Sequence, residues 1–173
     1  KVIAVSARNI NKKRQFKFDK KLFYKNPLDI LKKHQVDILF EAIGQSDGIS
    51  KKIVEAALKS GTHVISPNKA LISKHGNTLS QLAEKNNVNL EFEASVAGGI
   101  PVLRAIKEGL ATNKISKVYG ILNGTSNYIL SEMENSDTNF SDVLKKAQKL
   151  GYAEPGNPKL DLNGFDAFAK VRT

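Results

Sequence analysis

Short apolar runs of strand character alternate with longer stretches of helical spacing through the first 94 residues of this chain. Residues 1–7 (KVIAVSA) read as a buried strand, 36–43 (VDILFEAI) as a second, 63–66 as a third and 90–94 as a fourth. Between the first two, Asn26-Pro27 opens a short helix to about His34, since Pro suits a first helical turn. Ile49, Ile53, Val54, Ala57 and Leu58 recur at helical spacing, which predicts a helix over 47–59 closed by Gly61. A longer helix is predicted from about Asn68 to Lys85. Strands that alternate with helices are joined by crossovers and lie parallel, so the expected layout is doubly wound α/β.

The texture changes after Ser95. Gly98-Gly99 and Pro101 introduce a helix with Val102, Leu103, Ile106 and Leu110 on one face. Residues 117–123 (KVYGILN) read as a strand, and Gly124-Thr125-Ser126 turns directly into a helix over 127–134. Residues 140–150 are predicted helical, 151–163 form a long loop with two Pro and two Gly, and 164–172 are helical again. The expected division is 1–94, an α/β half, and 95–173, a mixed α+β half. No internal repeat or low-complexity segment interrupts either.

Composition narrows the chemistry. Cysteine is absent, which excludes a disulfide framework, a thiolate nucleophile and Cys-ligated zinc. His34, His63 and His75 lack metal-ligand spacing. No apolar run approaches the roughly 20 residues that span a membrane, and nothing at Lys1 resembles a signal peptide, so a cytoplasmic location is expected. Any reaction here runs on Lys, Asp, Glu, Ser, Thr and Tyr, or on a borrowed cofactor.

The net charge of +10 is concentrated at one end. Residues 1–35 hold 11 Lys/Arg against Asp19 and Asp29, whereas 36–173 hold 16 against 15 acids. Aromatics interleave the basic stretch: Lys12, Lys13, Arg14, Phe16, Lys17, Phe18, Lys20, Lys21, Phe23, Tyr24 and Lys25. Lysines that neutralise phosphate beside aromatics that stack on bases suit a nucleic acid. A solvated basic face over a few core aromatics accounts for the same residues, and so does a site for one small phosphate.

Three constellations carry possible chemistry. Ser66-Pro67-Asn68-Lys69 lies where a strand ends and a helix begins, the side of an α/β sheet on which ligands bind; an ordinary surface lysine is the alternative. Asn123-Gly124-Thr125-Ser126-Asn127 combines a glycine that permits close approach with free N–H groups at a helix start; simple helix capping is the alternative. In 151–170, Glu154, Asp161 and Asp166 lie in or beside a loop, and Asp166 and Lys170 are four apart, on one helical face. That arrangement suits an amino group bound beside a reacting oxygen, or else a surface ion pair.

The strings VISPNKALISKHG, FEASVAGGIP, YGILNGTSNYIL and LGYAEPGNPKLDLNGFDAFAK, in this order, closely resemble the homoserine dehydrogenase family, from Lys1 to about Val171. The resemblance implies a partial Rossmann-type NAD(P)-binding domain over 1–94 and a partial substrate/catalytic domain over 95–173. It implies an oxidoreductase of the aspartate pathway to threonine, methionine and isoleucine. The reaction is reversible hydride transfer between L-homoserine and L-aspartate 4-semialdehyde. By position, Lys170 matches the general acid/base and Lys69 the second active-site lysine, near the reacting oxygen and the nicotinamide. Glu154, Asp161 and Asp166 match the acids around the substrate, the first also near the cofactor. Gly124, Thr125 and Tyr152 line that pocket, and Gly151 approaches the cofactor. Glu93, Val96, Gly98 and Ile100 match a structural site for a monovalent cation such as sodium, bound mostly through backbone carbonyls. A homodimer is implied, with no role for nucleic acid or membrane.

The chemistry of the residues agrees with that resemblance. Aldehyde reduction needs a hydride and one proton and no covalent intermediate, so a cysteine-free site suffices. A lysine ammonium can donate to the developing alkoxide and a second cation can stabilise it. At the end of residues 1–7, Ser6-Ala7-Arg8 offers Arg where NAD enzymes place an acid, so NADP is the expected cofactor with Arg8 on the 2′-phosphate, and NAD is possible. Two features differ from the family. No GxGxxG occurs, so the chain is expected to be an internal piece of a longer enzyme that does not bind dinucleotide tightly alone. The 155–160 loop is one residue longer than the family's usual spacing. A non-catalytic Rossmann-like scaffold is the other class of answer, while aspartate-semialdehyde dehydrogenase is excluded because it needs a cysteine.

Overall fold

The structure, a computed structural model, describes residues 1–15, 19–156 and 158–173; Phe16, Lys17 and Phe18 of the basic stretch and Asn157 of the 155–160 loop lie outside them. The chain divides into two compact units, Lys1–Ala105 and Ile106–Thr173.

In the first unit every strand pair is parallel. β1 (Val5–Ser6) pairs with β2 (Phe23–Tyr24), Val5 opposite Phe23 and Ser6 opposite Tyr24. β3 (Ile38–Phe40), β4 (His63–Ile65) and β5 (Leu90–Glu91) form a second sheet with β4 in the centre. Leu39 faces Val64, and Val64 faces Leu90. Parallel strands joined by helical crossovers are the arrangement of an open α/β fold.

The crossovers supply the core. α1 (Leu28–Lys33) precedes β3, α2 (Ile49–Lys59) joins β3 to β4, and α3 (Lys69–Lys85) joins β4 to β5. Ile53, Val54, Ala57 and Leu58 of α2 pack with Leu71, Ile72, Leu79 and Ala83 of α3 against Val64, Val88 and Leu90. The i, i+4 pairs Ile53/Ala57 and Val54/Leu58 make one apolar stripe, which is what a surface helix buries on a sheet. Asn68 caps α3 by accepting from Leu71 N at 3.2 Å.

Several boundaries move relative to the sequence reading, each for a reason of backbone pairing. The strand expected over 1–7 shrinks to Val5–Ser6, because its ladder is only as long as its partner β2. Phe23 and Tyr24 turn out to be that partner, and the Tyr24 hydroxyl meets His34 Nε2 at 2.7 Å. The strand predicted over 90–94 stops at Glu91, and Glu93–Ser95 is a turn of 3-10 helix.

The division between units falls within α4 (Val102–Gly109). The second unit contains α5 (Gly124–Asn135), α6 (Phe140–Lys149), α7 (Lys159–Leu162) and α8 (Phe165–Arg172). Ile129, Val143, Ala147 and Ala153 form its buried apolar cluster, with Tyr128, Leu144 and Leu162 packed around them. The strand predicted over 117–123 does not form: Tyr119 is 85% and Ile121 78% exposed. Extended backbone becomes a strand only where a neighbour takes its N–H and C=O groups, and among its described residues this unit has no strand to offer. α5 begins at Gly124 rather than at residue 127, because Asn123 caps it by accepting from Ser126 N at 2.8 Å. Part of the expected loop 151–163 is helical, as α7.

Asp47 ties the loop before α2 to α3. Its carboxylate accepts from Lys74 Nζ at 2.7 Å and Ser46 Oγ at 2.7 Å, and lies 2.9 Å from His75 Nε2. The Lys74 ammonium first, then the Ser46 hydroxyl and the His75 ring, hold Asp47 well below the ordinary carboxylate range. A lowered folded-state pKa stabilises the fold above the unfolded value and is lost as pH falls. Asp47→Asn is therefore expected to lower the urea midpoint at neutral pH, with the gap to the parent closing as pH drops below about 4. A gap that is independent of pH would remove this role.

Candidate functional site

Two groups of polar side chains stand out, one in each unit. In the second unit the group forms where Asn123 ends the extended segment and starts α5. Asn123 Nδ2 donates to Asp161 Oδ1 at 2.8 Å and to Asp166 Oδ2 at 3.0 Å, while its Oδ1 caps the helix. Asp161 lies in α7 and Asp166 in the first turn of α8. Lys170, one turn further along α8, makes an ion pair with Asp166 Oδ2 at 2.6 Å. It also donates to Leu122 O at 2.6 Å. The side chains of Lys170 and Asp166 are only 24% and 17% exposed, so this pair is far less solvated than an ordinary surface i, i+4 pair.

Chemically, this is a held ammonium beside two carboxylates. An ammonium has three N–H donors; Asp166 and Leu122 take two, and they orient the third. Asp161 keeps its second oxygen clear of the Asn123 bond, and Ser126 Oγ donates to the Asp161 carbonyl at 3.2 Å. The carboxylates suit a cationic amino group, and the ammonium suits an oxygen that gains or loses a proton.

The loop after α6 is braced against α5. Gly151 adopts φ +80°, a left-handed turn that ends α6, and Tyr152 N then donates to Ala147 O at 2.9 Å. Thr125 Oγ1 donates to Tyr152 O, and the Tyr152 ring stacks on Tyr128 at 4.6 Å between centroids. Gly124, Thr125 and Tyr152 therefore share one end of α5 with Asn123. Glu154 is exposed, with its carbonyl accepting from Gln148 Nε2.

In the first unit the polar group sits at the carboxyl ends of β3 and β4. Lys69 is the first residue of α3 and is half-buried. Directly before it, Ser66 and Asn68 are buried and bonded to Glu41, which follows β3. Nothing in the sequence reading singled out Glu41. An acid at the end of an otherwise apolar strand was the available signal, since Glu is almost never buried without satisfied bonds. Asn123 likewise figured only as part of a turn, while the structure makes it the bridge between two acids.

Arg8 follows β1 and is exposed. Arg14, in the basic stretch that follows, turns its guanidinium onto the carbonyls of Asn9, Ile10 and Lys12 at 2.9, 3.1 and 2.9 Å, and holds that loop closed. Glu93 uses both carboxylate oxygens on the start of α4, accepting from Leu103 N at 3.0 Å and Arg104 N at 2.8 Å. The chain between Glu93 and Ile100 passes through left-handed conformations at Ala97 (φ +49°) and Gly99 (φ +87°).

Comparison with known proteins adds a second line. Residues 1–93 match the family model for the NAD binding domain of homoserine dehydrogenase, and residues 101–173 match the homoserine dehydrogenase model. The homoserine dehydrogenase of Neisseria gonorrhoeae is 48% identical over 149 residues, covering 86% of this chain and 34% of its own. A crystal structure of the Thiobacillus denitrificans homoserine dehydrogenase superimposes with a TM-score of 0.82 at 40% identity, over 98% of this chain and 38% of the other. A hyperthermophilic archaeal homoserine dehydrogenase in complex with NADPH gives 0.77 at 25% identity, over 95% of this chain and 48% of the other. The chain spans about a third of the length of the curated relatives it matches.

Removing the shared donor is expected to loosen the second unit's polar group. Asn123→Ala takes away a helix cap, for about 0.5–2 kcal/mol, and leaves Asp161 and Asp166 without their common partner. A urea midpoint equal to the parent's would show that Asn123 does not hold this group together.

Proposed function

This chain belongs to the homoserine dehydrogenase family, and from that membership we propose that it works as an NAD(P)-dependent oxidoreductase on a CH–OH group, interconverting L-homoserine and L-aspartate 4-semialdehyde. The observation that carries the reading is the Lys170 ammonium, held by Asp166 and the Leu122 carbonyl at 2.6 Å each. In this reading Lys170 gives a proton to the oxygen of the reduced aldehyde and takes it back in the reverse direction. Asp161, Asp166 and Glu154 receive the substrate's amino group, and Thr125, Gly124 and Tyr152 shape the pocket around it. Lys69 is the second cation near the reacting oxygen.

A nicotinamide cofactor fits the first unit because its parallel strands end beside Lys69 and because β1 runs out into an exposed arginine. When bound it supplies or accepts the hydride. Arg8 receives a 2′-phosphate, which favours NADP over NAD, and Lys69, Gly151 and Glu154 complete the contacts. With Arg14 committed to its own loop, Arg8 is the guanidinium at this strand end that remains for a ligand.

The same reading places the cofactor part in 1–94 and the catalytic part in 95–173. It extends to a cytoplasmic homodimer in the synthesis of threonine, methionine and isoleucine. It also extends to a monovalent cation such as sodium at Glu93, Val96, Gly98 and Ile100. Support for the cation is that the Glu93 carboxylate is taken up by two backbone N–H groups, so these residues offer carbonyl oxygens, the ligands that hard cations prefer.

In the full-length enzyme, Lys170→Ala is expected to cut turnover by roughly 10²–10⁴-fold, the usual contribution of a general acid/base, with NADP affinity unchanged in a fluorescence titration. Parental turnover would refute the assignment. Arg8→Ala is expected to weaken NADP and spare NAD, measured as the ratio of kcat/KM for the two; an unaltered ratio would locate the phosphate contact elsewhere.

A further inference from the structure

Glu41 is 2% exposed and gathers four donors onto one carboxylate. Oε1 accepts from Ser50 Oγ at 2.6 Å, Ile43 N at 2.7 Å and Asn68 Nδ2 at 3.4 Å, and Oε2 accepts from Ser66 Oγ at 2.6 Å. The donors come from three places: the loop after β3, the first turn of α2, and the turn between β4 and α3. Asn68 Nδ2 reaches on to Gln45 O at 2.8 Å and Ser50 Oγ at 2.9 Å, and Ser66 Oγ accepts from Asn68 N at 3.1 Å. Ser50, Ser66 and Asn68 are themselves almost completely buried. The side chains of Ser66 and Asn68, on the turn that delivers Lys69, are thus both bonded to Glu41.

We propose that Glu41 is a positioning residue for Lys69: through Ser66 and Asn68 it fixes the direction in which the first residue of α3 projects toward the reaction. The proposal rests on the reading of Lys69 as an active-site group. Stability alone gives no reason for an acid here. A buried charge costs free energy even when fully bonded, and apolar replacements of buried ionic groups are often as stable or more so. A carboxylate, however, has acceptor sites for all four donors. It stops two rotatable hydroxyls and one amide from choosing other partners, and so locks two neighbouring loops at the strand ends into one arrangement.

The test is kinetic and uses the full-length enzyme with homoserine and NADP. Glu41→Asp keeps the charge but withdraws it from the turn, and Ser66→Ala cuts the link while leaving Glu41 in place. Each is expected to lower kcat by about 10- to 100-fold, the effect of misplacing a reacting group by roughly 1 Å, with KM for homoserine within about twofold. Combined with Lys69→Ala, each is expected to cause no further loss beyond about twofold, since the two changes act on one group. Equal fractional losses with and without Lys69 would overturn the proposal, because a merely structural role acts independently of that side chain. Parental kcat in Ser66→Ala and Glu41→Asp beside a disabled Lys69→Ala enzyme would overturn the positioning role alone. Parental kcat in Lys69→Ala would overturn the reading of Lys69 and this proposal with it. If Glu41→Asp does not fold, Ser66→Ala carries the same comparison.

Discussion

A carboxylate taken out of water at the end of β3 sets the terms for the first unit. Glu41 has no cationic partner among the described residues, so its burial is tolerable only while hydroxyl, amide and backbone donors surround it. Those donors lie on segments far apart in sequence, so the bonds can all be made only when β3 and β4 are in register and α2 and α3 start where they do. The apolar stripe of Ile53, Val54, Ala57 and Leu58 holds the helices onto the sheet, but it is tolerant of small shifts. The polar group at the strand ends is not, because a hydrogen bond weakens steeply with angle and distance.

The second unit has a smaller apolar core than the first. Ile129, Val143, Ala147 and Ala153 are few, and the remaining order comes from side chains that bond to distant backbone. Thr125 reaches the carbonyl of Tyr152, Ser126 that of Asp161, and Lys170 that of Leu122. Each of these spans dozens of residues, and each joins a helix to a segment distant in sequence. The bonds that position the ammonium thus belong to the same set of long-range contacts that orders this unit.

Much of this was legible in advance, and the division between what was and was not has a physical basis. The order β3–α2–β4–α3–β5 follows from periodicity, because burial of one helix face or one strand leaves its mark on local sequence. The Asp166–Lys170 contact follows from helical spacing for the same reason. The pairing of β2 with β1 left little trace, since Phe23 and Tyr24 sit in a run of lysines and their partner is 18 positions away. Residues 117–123 have strand-like composition but, among the described residues, lack the neighbour that composition presupposes. Glu41 reads in the sequence only as an acid ending an apolar strand and Asn123 only as part of a turn, because their importance lies in partners up to 43 residues distant, which no local pattern encodes.

Asn123 is followed by Gly124, and that dipeptide has a chemical lifetime. The side-chain amide of an Asn before Gly is open to attack by the next backbone nitrogen, with loss of ammonia. Here the amide oxygen is engaged by Ser126 N and the amide nitrogen by two aspartates, which slows the rotation that such an attack requires. Hydrolysis to Asp would keep the helix cap but turn the one shared donor into a third carboxylate, within bonding distance of the other two. Like charges so placed cannot all remain ionised, and the group would repel where it now coheres. The durability of this arrangement thus depends on how firmly one primary amide is gripped.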